Sequence, residues 1–337
     1  MDSLFTSLFP AALQRRESLF QKLHDEQTNA YRLFHGITEG LPGLTVDRYG
    51  KLILMQTFRD PFSAEQVTHI ESVLQKTLSY DFTFVYNHRG KTPTESFDQW
   101  HQPTAEALAE IECQERGLNF LVRGRHQGID PWLFLDLRAG RKIVSESSAG
   151  LSVLNLFAYT CSVGVTAAKG GARDVWNVDF SSSNLEVGRR NAELNQVSTE
   201  HFELIQEDCL PVMRQLAGIP VGLRNAKTRN YLKLNARQFD LVFLDPPMWS
   251  KGPFGAVDVV GDYATLFKSA VLATKPGGRV IATNHAAKVS REAWVDSLKR
   301  CAAKAGRPLH SLEKIAPDED FPSPDGQQPL KIAICEV

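Results

Sequence analysis

Three carboxylates in this chain stand at the ends of short strand-like runs. Asp179 follows Val175-Trp176-Asn177-Val178, Glu207-Asp208 follows Leu204-Ile205-Gln206, and Asp245 follows Phe239-Asp240-Leu241-Val242-Phe243-Leu244. An acid at the carboxyl end of a buried strand accepts hydrogen bonds from hydroxyls and amines, and open α/β sheets bind ligands at that edge. Asp179 lies in the stretch that carries most. Val153-Leu154-Asn155-Leu156-Phe157 predicts a buried strand, Tyr159-Thr160-Cys161-Ser162 a polar corner, and Val163 to Ala168 a helix closed by Gly170-Gly171. A second strand then ends on Asp179. Strand, turn, helix and strand with a terminal carboxylate have the form of a nucleoside-binding βαβ unit, although an ordinary βαβ unit ending in Asp has the same pattern.

The turn lacks G-x-G-x-x-G, so nothing in it provides for close backbone approach to a pyrophosphate, and a nicotinamide dehydrogenase becomes the weaker expectation. S-Adenosylmethionine carries no phosphate and needs no such approach. Asp245 is followed by Pro246-Pro247-Met248-Trp249. Proline lacks an N–H and fixes φ, so the pair predicts a stiff lip at the carboxyl edge, with carbonyls free for a base amino group. Trp249 can stack on an extruded base; the bland alternative is a strand-end turn with a core tryptophan.

These residues need a frame to hold them, and 337 residues are enough for a large core and two domains. Hydrophobic content of 42% and charged content of 23% are ordinary, and 38 basic against 39 acidic residues leave no global field to attract nucleic acid. Five cysteines (Cys113, Cys161, Cys209, Cys301, Cys335) include no C-x-x-C pair, which argues against a zinc site and for a reducing compartment. With no cationic leader and no apolar run of membrane length, no membrane association and no metal are expected, and the cytoplasm is the expected location.

Ahead of the nucleoside unit the sequence predicts an amphipathic helix at 11–27, strands at 30–35, 44–47 and 52–58, a helix at 63–78 and a strand at 82–87. A hairpin of 118–123 against 132–137 would complete this small α+β module. From about residue 130 strands and helices alternate: a helix at 184–195, strands at 204–206 and 239–244, a helix near 262–274, a strand at 279–283 after Lys275-Pro276-Gly277-Gly278, and a helix at 290–305. Two last strands, 309–315 and 330–336, are joined by a linker at 317–329 too short for a crossover helix, so they should form an antiparallel hairpin. The expected architecture is a small α+β domain over 1–128 and an α/β domain over 129–337.

Taken in order, LNLFAYT, the strand end before SSSNLEVGRRNAELN, IQEDCL, FDLVFLDPP and KPGG resemble the large-subunit ribosomal RNA methyltransferases, the family that contains the RlmI and RlmK enzymes. TNAYRLFHGITEGLPGLTVDRYG is similar to that family's small central domain and WLFLDLRAGRK to its Phe-Leu-Asp-x-Arg segment. The resemblance runs from about residue 28 to near the end of the chain. It implies a class I methyltransferase fold, a Rossmann-like sheet with an antiparallel C-terminal hairpin. It also implies S-adenosylmethionine as donor and large-subunit ribosomal RNA as partner. Carried over, Asp179 would hold the ribose, and Asp208 with the Cys209 amide the adenine. Asn155, Phe157, Tyr159, Thr160 and Cys161 belong to the segment wrapping the methionine part, Arg138 beside Asp136 would meet the methionine carboxylate, and Asp245-Pro246-Pro247 would form the target-base lip beside the cofactor.

This chain departs from the family pattern in three places. Cys161 stands where members usually have glycine, so a Cβ narrows the approach to the cofactor. No stretch resembles the PUA domain of some members. Residues 218–238 look like an insertion carrying Arg224, Lys227, Arg229, Lys233 and Arg237 without an acid, a solvated loop or a set of phosphate contacts.

Methylating cytosine carbon-5 requires a thiolate to add first, and the cytosine branch places that cysteine where His285 stands. Guanine nitrogen-7 has an in-plane lone pair and no proton, so positioning suffices; the guanine branch has Asn where Asn284-His285 stand, and an aromatic two places after the prolines, as Trp249 is. Guanine nitrogen-7 is therefore expected. The alternatives are an exocyclic adenine or guanine amine, cytosine carbon-5, a small-molecule substrate, or a non-catalytic RNA-binding assembly factor.

Overall fold

The computed structural model describes residues 2–90, 104–125, 130–222 and 230–337. The elements, in chain order, are α1 (Asp2–Arg15), α2 (Glu17–Asp25), β1 (Ala30–His35), β2 (Leu44–Tyr49), β3 (Leu52–Thr57), α3 (Ala64–Thr77), β4 (Thr83–His88), α4 (Ala105–Leu108), β5 (Glu110–Glu115) and β6 (Leu118–Arg123). They continue with α5 (Arg138–Ser147), β7 (Ser152–Leu156), α6 (Ser162–Lys169), β8 (Asp174–Asp179), α7 (Ser182–Leu194), β9 (Phe202–Gln206), α8 (Cys209–Leu216) and β10 (Phe239–Leu244). The last are β11 (Trp249–Gly252), β12 (Gly255–Asp258), α9 (Val259–Leu272), β13 (Thr274–Asn284), α10 (Arg291–Lys304), β14 (Ser311–Ile315) and β15 (Lys331–Glu336).

Two compact units result, one of Met1–Leu135 with Asp318–Gly326, the other of Asp136–Pro317 with Gln327–Val337. In the first, β1-β2-β3-β4 form a sheet whose last pair is parallel, because α3 supplies the crossover. Ser63 and Gln66 form a capping box that starts α3. Phe5, Phe9, Leu33, Phe34 and Leu74 share its core. Asp320, from the loop between the last two strands, accepts the Arg32 N–H at 2.9 Å.

Two predicted elements of this unit change. The helix expected at 11–27 is two helices, because Arg16 leaves helical geometry and its buried guanidinium is bonded to the Glu39 carboxylate and the Ala12 carbonyl. The expected pairing of 118–123 with 132–137 does not form. Leu118–Arg123 pairs with Glu110–Glu115 through a two-residue turn in which Arg116 and Gly117 both take positive φ (50° and 76°), as a type I′ hairpin requires. Residues Leu135–Leu137 are a single 3₁₀ turn leading into α5.

The second unit holds a seven-stranded sheet ordered β14-β15-β13-β10-β7-β8-β9. Neighbours from β13 to β9 are parallel, and β15 runs antiparallel to both β13 and β14. This is the expected sheet with its antiparallel end. Helices α8, α9 and α10 cover one face and bury Met213, Leu216, Phe267 and Trp294 among the strand residues. The parallel strands are in step: Leu244 lies beside Leu156, Leu156 beside Val178, and Leu244 also beside Ala282. The residues one place further on, Asp245, Phe157, Asp179 and Thr283, therefore stand level along the carboxyl edge of the parallel strands.

Candidate active site

The corner after β7 is wound more tightly than its sequence suggests. Phe157, Tyr159 and Cys161 all take positive φ (59°, 49° and 58°), a conformation that costs a non-glycine residue on the order of 1 kcal/mol or more. The corner persists because its surroundings fix it at three consecutive residues. The Ala158 N–H donates to the Val178 carbonyl at 2.9 Å, the Tyr159 N–H to Asp179 Oδ2 at 2.9 Å, and the Asn191 amide to the Thr160 carbonyl at 3.0 Å.

Asp179 is 7% exposed, and its other oxygen accepts the Ser181 N–H at 2.9 Å. Burial raises its pKa, the two N–H donors act against that, and the neighbouring Asp208 charge adds to the rise. Each oxygen retains acceptor capacity for a further donor. Cys209 fastens the corner from beneath: its thiol donates to the Val178 carbonyl at 3.5 Å and accepts the Phe157 N–H at 3.2 Å. Asp208 caps α8, accepting the Leu210 N–H at 2.9 Å, while its other oxygen accepts the Phe254 N–H, at the tip of the β11–β12 hairpin, at 3.1 Å.

The Cβ that narrows the expected cofactor approach is absorbed elsewhere. Cys161 is fully buried with its sulfur against Gly188 of α7, where an added Cβ would lie 2.4 Å from that sulfur. Gly188 makes room for the side chain that the missing glycine would otherwise have spared. Asn155 is buried within the sheet and donates to Asn177 on β8 at 2.9 Å, and Gly164 of α6 leaves space for that pair.

The second carboxylate of the edge is held differently. Asp245 Oδ1 accepts both the Thr283 hydroxyl and His285 Nε2, the latter at 2.8 Å. Burial lowers the pKa of His285, but the Asp245 charge and hydrogen bond, with the Asp136 charge behind them, outweigh it, and the net shift is upward. Asp136 belongs to the 3₁₀ turn and Arg138, buried, opens α5. Asn284 is buried and its side chain accepts the Ala286 N–H at 2.8 Å, shaping the turn that presents His285. Beyond Pro246 and Pro247, Met248 and Trp249 are 55% and 64% exposed. Trp249 is thus exposed and not a core tryptophan, and it stands at the root of the β11–β12 hairpin, an element not expected from the sequence.

The basic insertion does not act as one set. Arg224, Lys227 and Arg229 lie outside the described residues. The Lys233 ammonium sits 3.5 Å from the Tyr231 ring centroid. Arg237 is paired with Asp174 and stacked over Trp176 and Phe239, at the start of β8 and β10 and so at the opposite edge of the sheet. That engagement corrects its reading as a phosphate contact. Phe180, 44% exposed beside Asp179, and Thr283 were passed over in the sequence, since neither stands in a motif.

Glu207, Asp208 and Asp179 surround the corner with carboxylates, which repel a polyphosphate and suit the hydroxyls, amine and positive charge of a sulfonium nucleoside. Among the described residues no group of three or more His, Cys, Asp or Glu could hold a metal, and no helix is long and apolar enough to cross a membrane.

Comparison with known proteins places the chain in a family. The family model described as S-adenosylmethionine-dependent methyltransferase matches residues 31–335. A curated relative from Allochromatium vinosum, ribosomal RNA large subunit methyltransferase K/L, is 39% identical over 186 residues, 53% of this chain and 23% of its own length. Ribosomal RNA large subunit methyltransferase I of Aeromonas salmonicida is 27% identical over 314 residues, 92% of this chain and 74% of its own. A solved methyltransferase complexed with SAH superposes at a TM-score of 0.79 with 21% identity, covering all of this chain and 82% of that one, which shows the shared fold. The chain belongs to the S-adenosylmethionine-dependent methyltransferase family.

Proposed function

We propose that this enzyme methylates a base of large-subunit ribosomal RNA, at guanine nitrogen-7, in the cytoplasm. The observation that carries the choice of atom is the lip itself, where Asp245 is bonded to Thr283 and His285 and no thiol takes part. All five cysteines are buried, and burial pushes the thiols of Cys161, Cys209, Cys301 and Cys335 upward, so none of these four is prepared as the thiolate that cytosine carbon-5 chemistry needs. The names of the relatives support ribosomal RNA as the substrate class.

Asp179 would hold the ribose hydroxyls, the 157–161 corner and Arg138 the methionine part, and Asp208 with the Cys209 amide the adenine. When bound, S-adenosylmethionine supplies a methyl group on a positively charged sulfur that leaves as a neutral thioether. The Asp245-Pro246-Pro247 lip and Trp249 would hold the extruded guanine with its nitrogen-7 toward the cofactor, and no proton has to be removed. Lys233 is the described residue of the insertion that remains for phosphate contact.

Transfer of label from S-adenosylmethionine to deproteinised large-subunit RNA, against a metabolite extract, tests this. 7-Methylguanosine in the digested RNA is the expected product; label confined to the metabolite fraction overturns the reading.

A further inference from the structure

The reading above gives His285 no task, yet few side chains at this edge are positioned with more care. Its Nε2 must be the protonated nitrogen, because the Asp245 oxygen 2.8 Å away can only accept when ionised. Asp245 is itself fixed by the Thr283 hydroxyl, and the Tyr263 hydroxyl fixes the Thr283 carbonyl at 2.6 Å. This is the orienting arrangement by which a carboxylate sets the tautomer of an imidazole. Nδ1 is thereby the ring nitrogen left to act, an acceptor in the neutral ring and a donor in the imidazolium, and it has no hydrogen-bond partner among the described residues. The side chain is 27% exposed and Asp245 17%, so the pair opens to solvent at the lip.

The charged and titratable groups around the ring are Asp245 at the end of β10, Asp136 in the 3₁₀ turn, and Lys331 at the start of β15. Tyr263 of α9 feels Asp245. The buried Lys331 ammonium is turned elsewhere, donating to the Ala286 and Pro329 carbonyls at 3.0 and 2.9 Å. Two carboxylates, one of them in direct contact, outweigh burial and the Lys331 ammonium and favour the imidazolium, and the net upward shift of His285 agrees.

Guanine and adenine share nitrogen-7 as an acceptor, but beside it guanine carries the O6 acceptor and adenine an N6 amine donor. A donor at the lip accepts guanine and opposes adenine; an acceptor does the reverse. We propose that His285, oriented by Asp245, donates from Nδ1 to O6 of the target purine and is the residue that selects guanine. The inference rests on methylation of an RNA purine at this lip and adds to it the means of discrimination. The pairing with Asp245 keeps the dyad neutral overall, so the donor does not add net charge beside the nitrogen that becomes cationic.

The experiment uses the full chain and a short RNA carrying the mapped target base as guanine or as 2,6-diaminopurine, which keeps nitrogen-7 and replaces O6 with an amine. The wild type should favour guanine in kcat/KM by about 10- to 100-fold, the scale of a hydrogen bond from a charged donor. His285→Leu should bring the two substrates within a few fold of each other while S-adenosylmethionine affinity by calorimetry stays unchanged. Should the variant not fold, the wild-type pH profile decides. The donor form is present below the raised pKa and lost above it, so the guanine preference should shrink as pH rises through that value. A preference that survives in His285→Leu, or is independent of pH, overturns the inference and leaves guanine methylation standing. Adenine as the wild-type product overturns it too, and absence of any RNA methylation removes both.

Discussion

Asp179 and Asp245 are the same residue type at the same level of the same sheet, two strands apart, and the protein treats them in opposite ways. Asp179 is fastened by main-chain donors, the N–H groups of Tyr159 and Ser181. Asp245 is fastened by side chains, those of Thr283 and His285. A main-chain donor is present whatever the local side chain, so the first arrangement survives sequence change, which suits the cofactor-holding role proposed for Asp179. Side-chain donors can be exchanged one at a time, so the second can be retuned to a particular base without disturbing the first. Under the proposed roles, the general half of the reaction would rest on backbone geometry and the specific half on replaceable groups.

Separating the two carboxylates is the largest effect expected. Asp179→Asn sets an amide NH2 against one of the two N–H donors and removes one of the two oxygens that could accept from the ribose; S-adenosylmethionine affinity by calorimetry should fall by about 10- to 100-fold. Asp245→Asn should change that affinity by less than about threefold and lower methyl transfer by a factor on the order of 100. Equal losses of cofactor binding in both variants would break the contrast. The corner itself comes next. Gly188→Ala brings a Cβ to 2.4 Å from the Cys161 sulfur and should destabilise the fold, read by thermal denaturation, by about 1–3 kcal/mol. Cys161→Gly in the same chain should restore most of that loss, and failure of the pair to couple would mean that the corner does not depend on this contact.

Trp249→Ala should raise KM for RNA by roughly fivefold, about 1 kcal/mol for one stacked base on an exposed ring, with cofactor affinity intact. The smallest effect is in pH. Asp179 accepts best when ionised, and its pKa is raised, so S-adenosylmethionine affinity should begin to fall at a higher pH on acidification than an ordinary aspartate would give. The cofactor-free protein should show the opposite sign from this group: a carboxyl whose folded pKa is raised favours the folded state at low pH and loses that contribution as pH rises through it. Asp179→Asn should abolish both trends.

Much of the catalytic unit was legible beforehand, because its signals are local. Leu241 to Leu244 is apolar at every position, as a strand covered on both faces requires, and the linker at 317–329 cannot hold a helix, which forces β14 and β15 into a hairpin. The β5–β6 hairpin was not legible, since Arg116 takes a positive φ that sequence signals reserve for Asn, Asp and Gly. Arg237 was misleading for a related reason: composition shows its charge but not Asp174 and two aromatic rings waiting at a distant strand start.

The sequence by itself determined which residues end strands, where prolines stiffen the edge, and that no phosphate-binding glycine loop or paired cysteines exist. Tertiary structure alone decided that Leu244, Leu156 and Val178 stand level, which sets the acids on one edge. It also decided that Gly188 receives Cys161 and that His285 meets Asp245, forty positions away in the chain. Strand register and contacts between distant side chains are fixed by packing the whole core at once, and no short window of residues carries that information.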